Sequence, residues 1–400
     1  MKATTVLTAL LSLVALGGSI AACDDGEAQP PAAVADSSAD TVSGSDGAVT
    51  LDEGQADTGP TADVSPPDAT TGPDLPPDIP PDIPPVEDTS TQPDTTTQPD
   101  TTTQPDAPVT PGEPIDGDIR NYIFGHSLIL HSPTANVPRW LHALSQAAGH
   151  GYSMSGQYGF ADTHATNLPP FAQWGVPDVP SAWDDDSGLS FADSNFDTIL
   201  FTAANFRQYY PPTGMDPDVQ LPQTTVESTL AVFDWVHAAE PSGVRYVIYE
   251  NWPDMAGYTS ADFQGSFPSA TELDAYHSYT LGAFHDWWLA YQDAMVQARP
   301  ELNVRMIPVG SVMAQLLTGT LAGIPVEALY EDDAPHGQPT LYFIAGVITY
   351  MGLYGVPAPD DFVIPDDIDP GVVALYPQIV SEAWTALENF VDADGNNRVW

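Results

Sequence analysis

Arg120-Asn121-Tyr122-Ile123-Phe124-Gly125-His126-Ser127-Leu128 passes from a short β-rich run directly into a turn that carries a serine. Downstream, a helical pattern through Val137, Trp140, Leu141, Leu144 and Ala148 stops at Gly149. Four more strand-like runs follow: Tyr152–Ser155, Phe196–Thr202, Val244–Tyr249 and Asn303–Val309. Between them lie helical stretches. One opens at Thr224-Thr225-Val226-Glu227, with capping-box spacing, and runs to Pro241; a long amphipathic helix is expected over Thr271–Arg299. Ser311 is expected to cap a short helix, and Pro339–Leu353 reads as a buried one. Five strands separated by helices imply an α/β domain with a five-stranded parallel sheet covered on both faces. Working residues of such sheets collect at the carboxyl ends of the strands.

This domain is expected over residues 114–400, about 280 residues. The segment before it is of a different kind. Residues 1–22 read as a secretory signal, with Lys2 ahead of the apolar stretch Val6–Ile20. Ile20-Ala21-Ala22-Cys23 resembles a bacterial lipobox, in which the cysteine is acylated, and Cys23 is the sole cysteine of the chain. Residues 23–113 form a linker rich in Pro, Asp and Thr, with the block Thr95-Thr96-Thr97-Gln98-Pro99-Asp100 recurring at Thr101–Asp106. Such a composition buries too little apolar surface to offset its ordering entropy, so a disordered stalk is expected. Its upper reach is on the order of 250 Å in polyproline II. The expected location is the cell envelope, outside the cytoplasm, with the membrane reached through lipidated Cys23.

The net charge is −47, and Lys2 is the only lysine. Nucleic acid as a partner requires a basic face and is excluded on this ground. Electrostatic attraction to anionic lipid fails for the same reason, and a neutral substrate suits the chain better than a dense polyanion. No Gly-x-Gly-x-x-Gly or Walker-type loop follows any strand, so no nucleotide cofactor is expected. His126, His131, His142 and His164 lack metal-ligand spacing, and no metal is assigned.

Ser127 at the end of the first strand is open to two readings, helix cap or nucleophile. Asp333-Ala334-Pro335-His336 favours the second. On a loop, this spacing lets the aspartate fix one ring nitrogen of His336 and leaves the other for Ser127. Asn205, just past the third strand, is placed to aim an amide at a developing oxyanion, and Gly156 or Gly159 to offer a backbone N–H. The Gly-x-Ser-x-Gly elbow is absent, since Ile129 occupies its second glycine position.

Gly125-His126-Ser127-Leu128, Asn205 within Ala203–Phe206, and Asp333–His336 together resemble the SGNH (GDSL) hydrolases over about residues 119–355. Histidine replaces the usual acid or amide in the first block, and the third matches at its asparagine alone. The resemblance implies a flavodoxin-like three-layer α/β/α sandwich. It also implies catalysis by Ser127, Asp333 and His336, with an oxyanion site of the Ser127 amide, the Gly159 amide and the Asn205 side chain. The activity implied is hydrolysis of acetyl or short acyl esters of small molecules or glycans. Tyr249-Glu250-Asn251-Trp252 ends the fourth strand, where Trp252 is a candidate sugar-stacking face, burial in the core being the other reading. A non-catalytic glycan-binding or scaffold protein on the same fold is the alternative. Asp392–Asn397 resembles the start of a calcium loop and is expected to be a solvated tail.

Overall fold

The computed structural model describes residues 115–205, 208, 210–215, 223–239 and 243–400, all within one unit, Asp100–Trp400. The signal (1–22), the stalk (23–113) and the lipidation site Cys23 lie outside the described residues.

The five expected strands are β1 (Ile119–Gly125), β2 (Tyr152–Tyr158), β3 (Thr198–Phe201), β4 (Arg245–Tyr249) and β5 (Arg305–Ile307). They form a single parallel sheet in the order β2-β1-β3-β4-β5. Side chains alternate between two apolar cores. Ile123, Leu200, Val247 and Ile307 face one side; Tyr122, Phe124, Ile199, Phe201, Tyr246, Ile248 and Met306 face the other. Burial on both faces explains why these runs read as continuously apolar.

The first core is covered by α1 (Val137–Ala147), α6 (Val309–Thr318), α7 (Pro339–Tyr354) and α8 (Pro370–Glu388). The second is covered by α3 (Thr225–Ala239) and α5 (His285–Ala298), with short α2 (Ala161–Thr166) at its edge. Helix α7 is buried along almost its whole length, as its unbroken apolar composition requires. Gly346 lets it approach α1, because a Cβ there would collide with Trp140. Among the described residues, no helix is long and apolar enough to cross a membrane.

Three local expectations change. The long helix expected over Thr271–Arg299 is broken into α4 (Ala270–Tyr279) and α5 by a π-helical turn, with Gly282 at φ −108°, ψ −112°. The break has a packing cause: Tyr276 serves the first core, while Phe284, Trp288 and Tyr291 serve the second. Ser311 is not a cap; it lies inside α6, its amide bonded to the Glu250 carboxylate at 3.1 Å. The tail is solvated over residues 393–396, as expected, but it is not free. Met306 N–H donates to the Arg398 carbonyl at 2.9 Å and Val399 is buried, so the chain end lies along the β5 edge. The Thr224 box forms as expected, with Glu227 and Thr224 exchanging backbone bonds at 2.8 and 3.1 Å.

After β1 the chain builds β2 on one flank, then crosses back to build β3 on the other. The reversal is a topological switch point, the place where open α/β sheets bind ligands, beyond the carboxyl ends of β1 and β3. Ser127 follows one of those ends and Asn205 the other.

Candidate active site

Ser127 is half-buried in a tight turn in which the His126 carbonyl accepts from the Ile129 and Leu130 amides. The turn continues into a folded loop closed by a bridge between Leu130 and Asn136. Asn136, not Ser127, caps α1, accepting from the Arg139 amide at 2.8 Å. The helix-cap reading of Ser127 therefore falls. Its carbonyl accepts from Tyr342 Oη at 2.7 Å, which ties the turn to the first turns of α7.

The loop before α7 delivers His336 on a closed frame. Tyr330 bridges Gly337, and Glu331 N–H donates to the His336 carbonyl at 2.7 Å. Asp332 folds the interior: its Oδ1 accepts from the amides of Ala334 (3.0 Å) and His336 (2.8 Å), and its Oδ2 meets His336 Nδ1 at 2.6 Å. The partner of the histidine is thus Asp332, one residue before the expected Asp333. The turn made by Asp332 curls the ring back onto its own carboxylate. Asp333 is exposed, and its contribution is a carbonyl that accepts from the Met255 amide at 2.9 Å. Partial burial raises the Asp332 pKa, but the ring and amide bonds from His336 outweigh it, and the net shift is downward. Asp332 therefore stays ionised beside the imidazole. His336 Nδ1 is engaged, leaving Nε2 as the edge free for chemistry.

Two residues expected to touch substrate instead hold this loop. Asn205 donates through Nδ2 to the Ala334 carbonyl at 3.1 Å. Trp252 is fully buried, donates through Nε1 to the Pro335 carbonyl at 2.9 Å and packs edge-on to Tyr342. Core burial, not sugar stacking, is its role. The rest of the segment after β4 is equally internal. Glu250 is buried against His285 Nδ1 at 2.9 Å, and Asn251 accepts from Thr202 Oγ1 at 2.8 Å.

The oxyanion expectation is also revised. The Gly159 amide donates to the Gly125 carbonyl at 2.8 Å, prolonging the β1–β2 ladder, and so is not free for a substrate oxygen. Gly156 lies inside β2, where a Cβ would meet the Ile123 carbonyl at 2.5 Å. That glycine answers to strand packing. Among the described residues, the Ser127 amide enters no hydrogen bond and remains the backbone donor at this edge.

Sequence reasoning missed three neighbours. His131 stacks on His336 with ring centroids 4.1 Å apart and planes 15° from parallel. Asp254 lies close enough to Asp332, Asp333 and His336 to feel their charges; its pKa is raised first by burial, then by the two carboxylates. His126 is fully buried, and burial lowers its pKa to about 3 despite an opposing bond from Asn251. His131 and Asp254 carry no spacing signal. The groove between α6 and α8, about 290 Å³ and lined by Val312, Leu316 and Glu382 among others, shares no residue with the site.

Neither a protein family nor a curated protein matches the chain. Among solved structures, a DUF4886 family protein from Bacteroides uniformis aligns with a TM-score of 0.45 at 16% identity, covering 67% of this chain and 94% of that one. A gut microbial diltiazem-metabolizing enzyme aligns with a TM-score of 0.34 at 11% identity, over 62% of this chain and 49% of that one. This chain thus spans about half the length of the second neighbour.

Proposed function

We propose that this chain is a serine ester hydrolase of the SGNH type, held outside the cytoplasm by acylated Cys23 and removing acetyl or short acyl groups from small molecules or glycans. The observation that carries the reading is the Asp332–His336 pair, bonded at 2.6 Å through Nδ1 with Nε2 left open, on a loop fastened to the turn that bears Ser127. In the acylation step, Ser127 Oγ bonds to the ester carbonyl carbon while its proton passes to His336 Nε2. The tetrahedral intermediate collapses as the C–O bond to the alcohol breaks, and that alcohol leaves with the proton from His336. Water then attacks the acyl-enzyme with His336 as base, releasing the acid and restoring Ser127. Asp332 holds the tautomer and offsets the imidazolium charge. The Ser127 amide is the donor assigned to the oxyanion.

Ser127→Ala is expected to abolish turnover of p-nitrophenyl acetate with the fold retained by circular dichroism. Undiminished turnover by that variant rejects the mechanism. One observation favours a second reading, a non-catalytic glycan binder: the Gly159 amide and one Asn205 amide hydrogen are already engaged. Absence of a fluorophosphonate adduct on Ser127 in the intact protein, together with sugar binding, would decide for that reading.

A further inference from the structure

We infer that His131 is a positioning residue for His336, fixing the plane of its ring so that Nε2 faces Ser127; the inference rests on the esterase reading above. The Asp332 bond at Nδ1 sets one edge of the imidazole but leaves it free to tilt about that bond. The near-parallel stack of His131 closes one face of the ring and removes the tilt. His131 is itself held twice. Its amide donates to the Ala135 carbonyl at 3.1 Å, and its Nε2 meets Glu331 Oε2 at 3.2 Å.

The consequence is a paired arrangement. Consecutive carboxylates, Glu331 and Asp332, each hold one of two stacked imidazoles, and the two rings come from different loops. His131 belongs to the loop after β1 that bears Ser127, and His336 to the loop before α7. The stack therefore fixes the base relative to the nucleophile, the relation that proton transfer depends on. Catalytic groups tolerate a misplacement of only ~0.5 Å or ~10–20°, which a ring free to tilt on one hydrogen bond would exceed.

The test uses the full chain and p-nitrophenyl acetate. His131→Ala is expected to lower kcat ~10- to ~100-fold with KM within about twofold, since orientation is lost and binding is not. His131→Phe keeps an aromatic face but not the Glu331 bond, and is expected to recover most of kcat. Full activity in His131→Ala overturns the inference, as does His131→Phe no better than alanine. A second readout does not need turnover. The Cε1–H proton resonance of His336, assigned with His336→Gln, should move downfield in His131→Ala as the shielding ring is removed. An unmoved resonance refutes the stack. Retained turnover in Ser127→Ala would reject the esterase mechanism itself, an outcome separate from either His131 result.

Discussion

Replacing Asp332 by Asn tests the site at the point where geometry and sequence spacing disagree. The Asp332 carboxylate accepts three bonds: from the Ala334 amide at 3.0 Å, the His336 amide at 2.8 Å and His336 Nδ1 at 2.6 Å. Asparagine keeps an Oδ1 for both amides, so the loop should hold its shape. Its Nδ2, however, is a donor and faces Nδ1. The imidazole then carries its proton on Nε2, where it cannot accept one from Ser127. In a fully buried triad this substitution costs about 10⁴ in kcat. Here the Asp332 side chain is 40% exposed, so water shares the site. The expected loss is ~10²–10³ in kcat/KM, about 2.7–4.1 kcal/mol of barrier. Asp333→Asn, at an exposed side chain outside this network, should stay within about twofold of wild type. The assay is steady-state hydrolysis of p-nitrophenyl acetate by both variants, with thermal unfolding to confirm the fold. Equal losses, or a larger loss in Asp333→Asn, would refute the assignment of Asp332.

Trp252→Phe removes the donor to the Pro335 carbonyl, a buried bond of 2.9 Å. It should lower unfolding free energy by ~1–3 kcal/mol in urea titrations; an unchanged midpoint would show that the bond contributes nothing. A third prediction concerns acid. Burial, reinforced by the charge of the neighbouring histidine, lowers the pKa of His164 to about 3, and burial does the same for His126. Between the unfolded value of about 6.5 and the folded value, the unfolded chain binds the extra proton, so stability is full above pH ~6.5 and declines below it. The limiting slope is ~1.4 kcal/mol per pH unit for each ring. His164→Phe, which keeps the edge contacts to Phe124 and Phe201, should flatten the stability profile between pH 6.5 and 5. Identical slopes in both proteins would refute a neutral buried His164.

The sheet was legible because each strand is buried on both faces and is bounded by turns, so composition alone marks it. Helix α7 was legible for the same reason. Helix α8 is hidden in the sequence: Val372, Tyr376, Ile379, Val380, Ala383 and Leu387 fall on one helical face, but Pro377 inside the run masks the period. The break at Gly282 was hidden because an amphipathic pattern does not say which of two cores each half serves. Within the site, the loop positions of Ser127 and His336 were legible and the carboxylate beside the histidine was not. Glu331, Asp332 and Asp333 are adjacent carboxylates, and only the turn closed by the Ala334 and His336 amides selects among them. Gly159 failed for a similar reason: a glycine after a strand looks free until the ladder is seen to extend one residue past β2, the Gly159 amide bonding the Gly125 carbonyl.

A deeper regularity connects the reassigned residues. An irregular loop over the edge of a sheet carries backbone carbonyls that no ladder satisfies, and burying them unpaired costs ~1–3 kcal/mol each. In the His336 loop three successive carbonyls need donors, those of Asp333, Ala334 and Pro335. Each receives one from the segment that follows β3 or β4: the Met255 amide, Asn205 Nδ2 and Trp252 Nε1. Asparagine and tryptophan stand after β3 and β4 because each carries a donor on a planar group that can reach a carbonyl from that edge. The same bonds fix where the imidazole sits, since moving any of the three carbonyls moves His336. Positions that look like substrate contacts in the sequence thereby become the means by which the sheet locates His336. On the esterase reading proposed above, the atoms left for chemistry are Ser127 Oγ, the Ser127 amide and His336 Nε2.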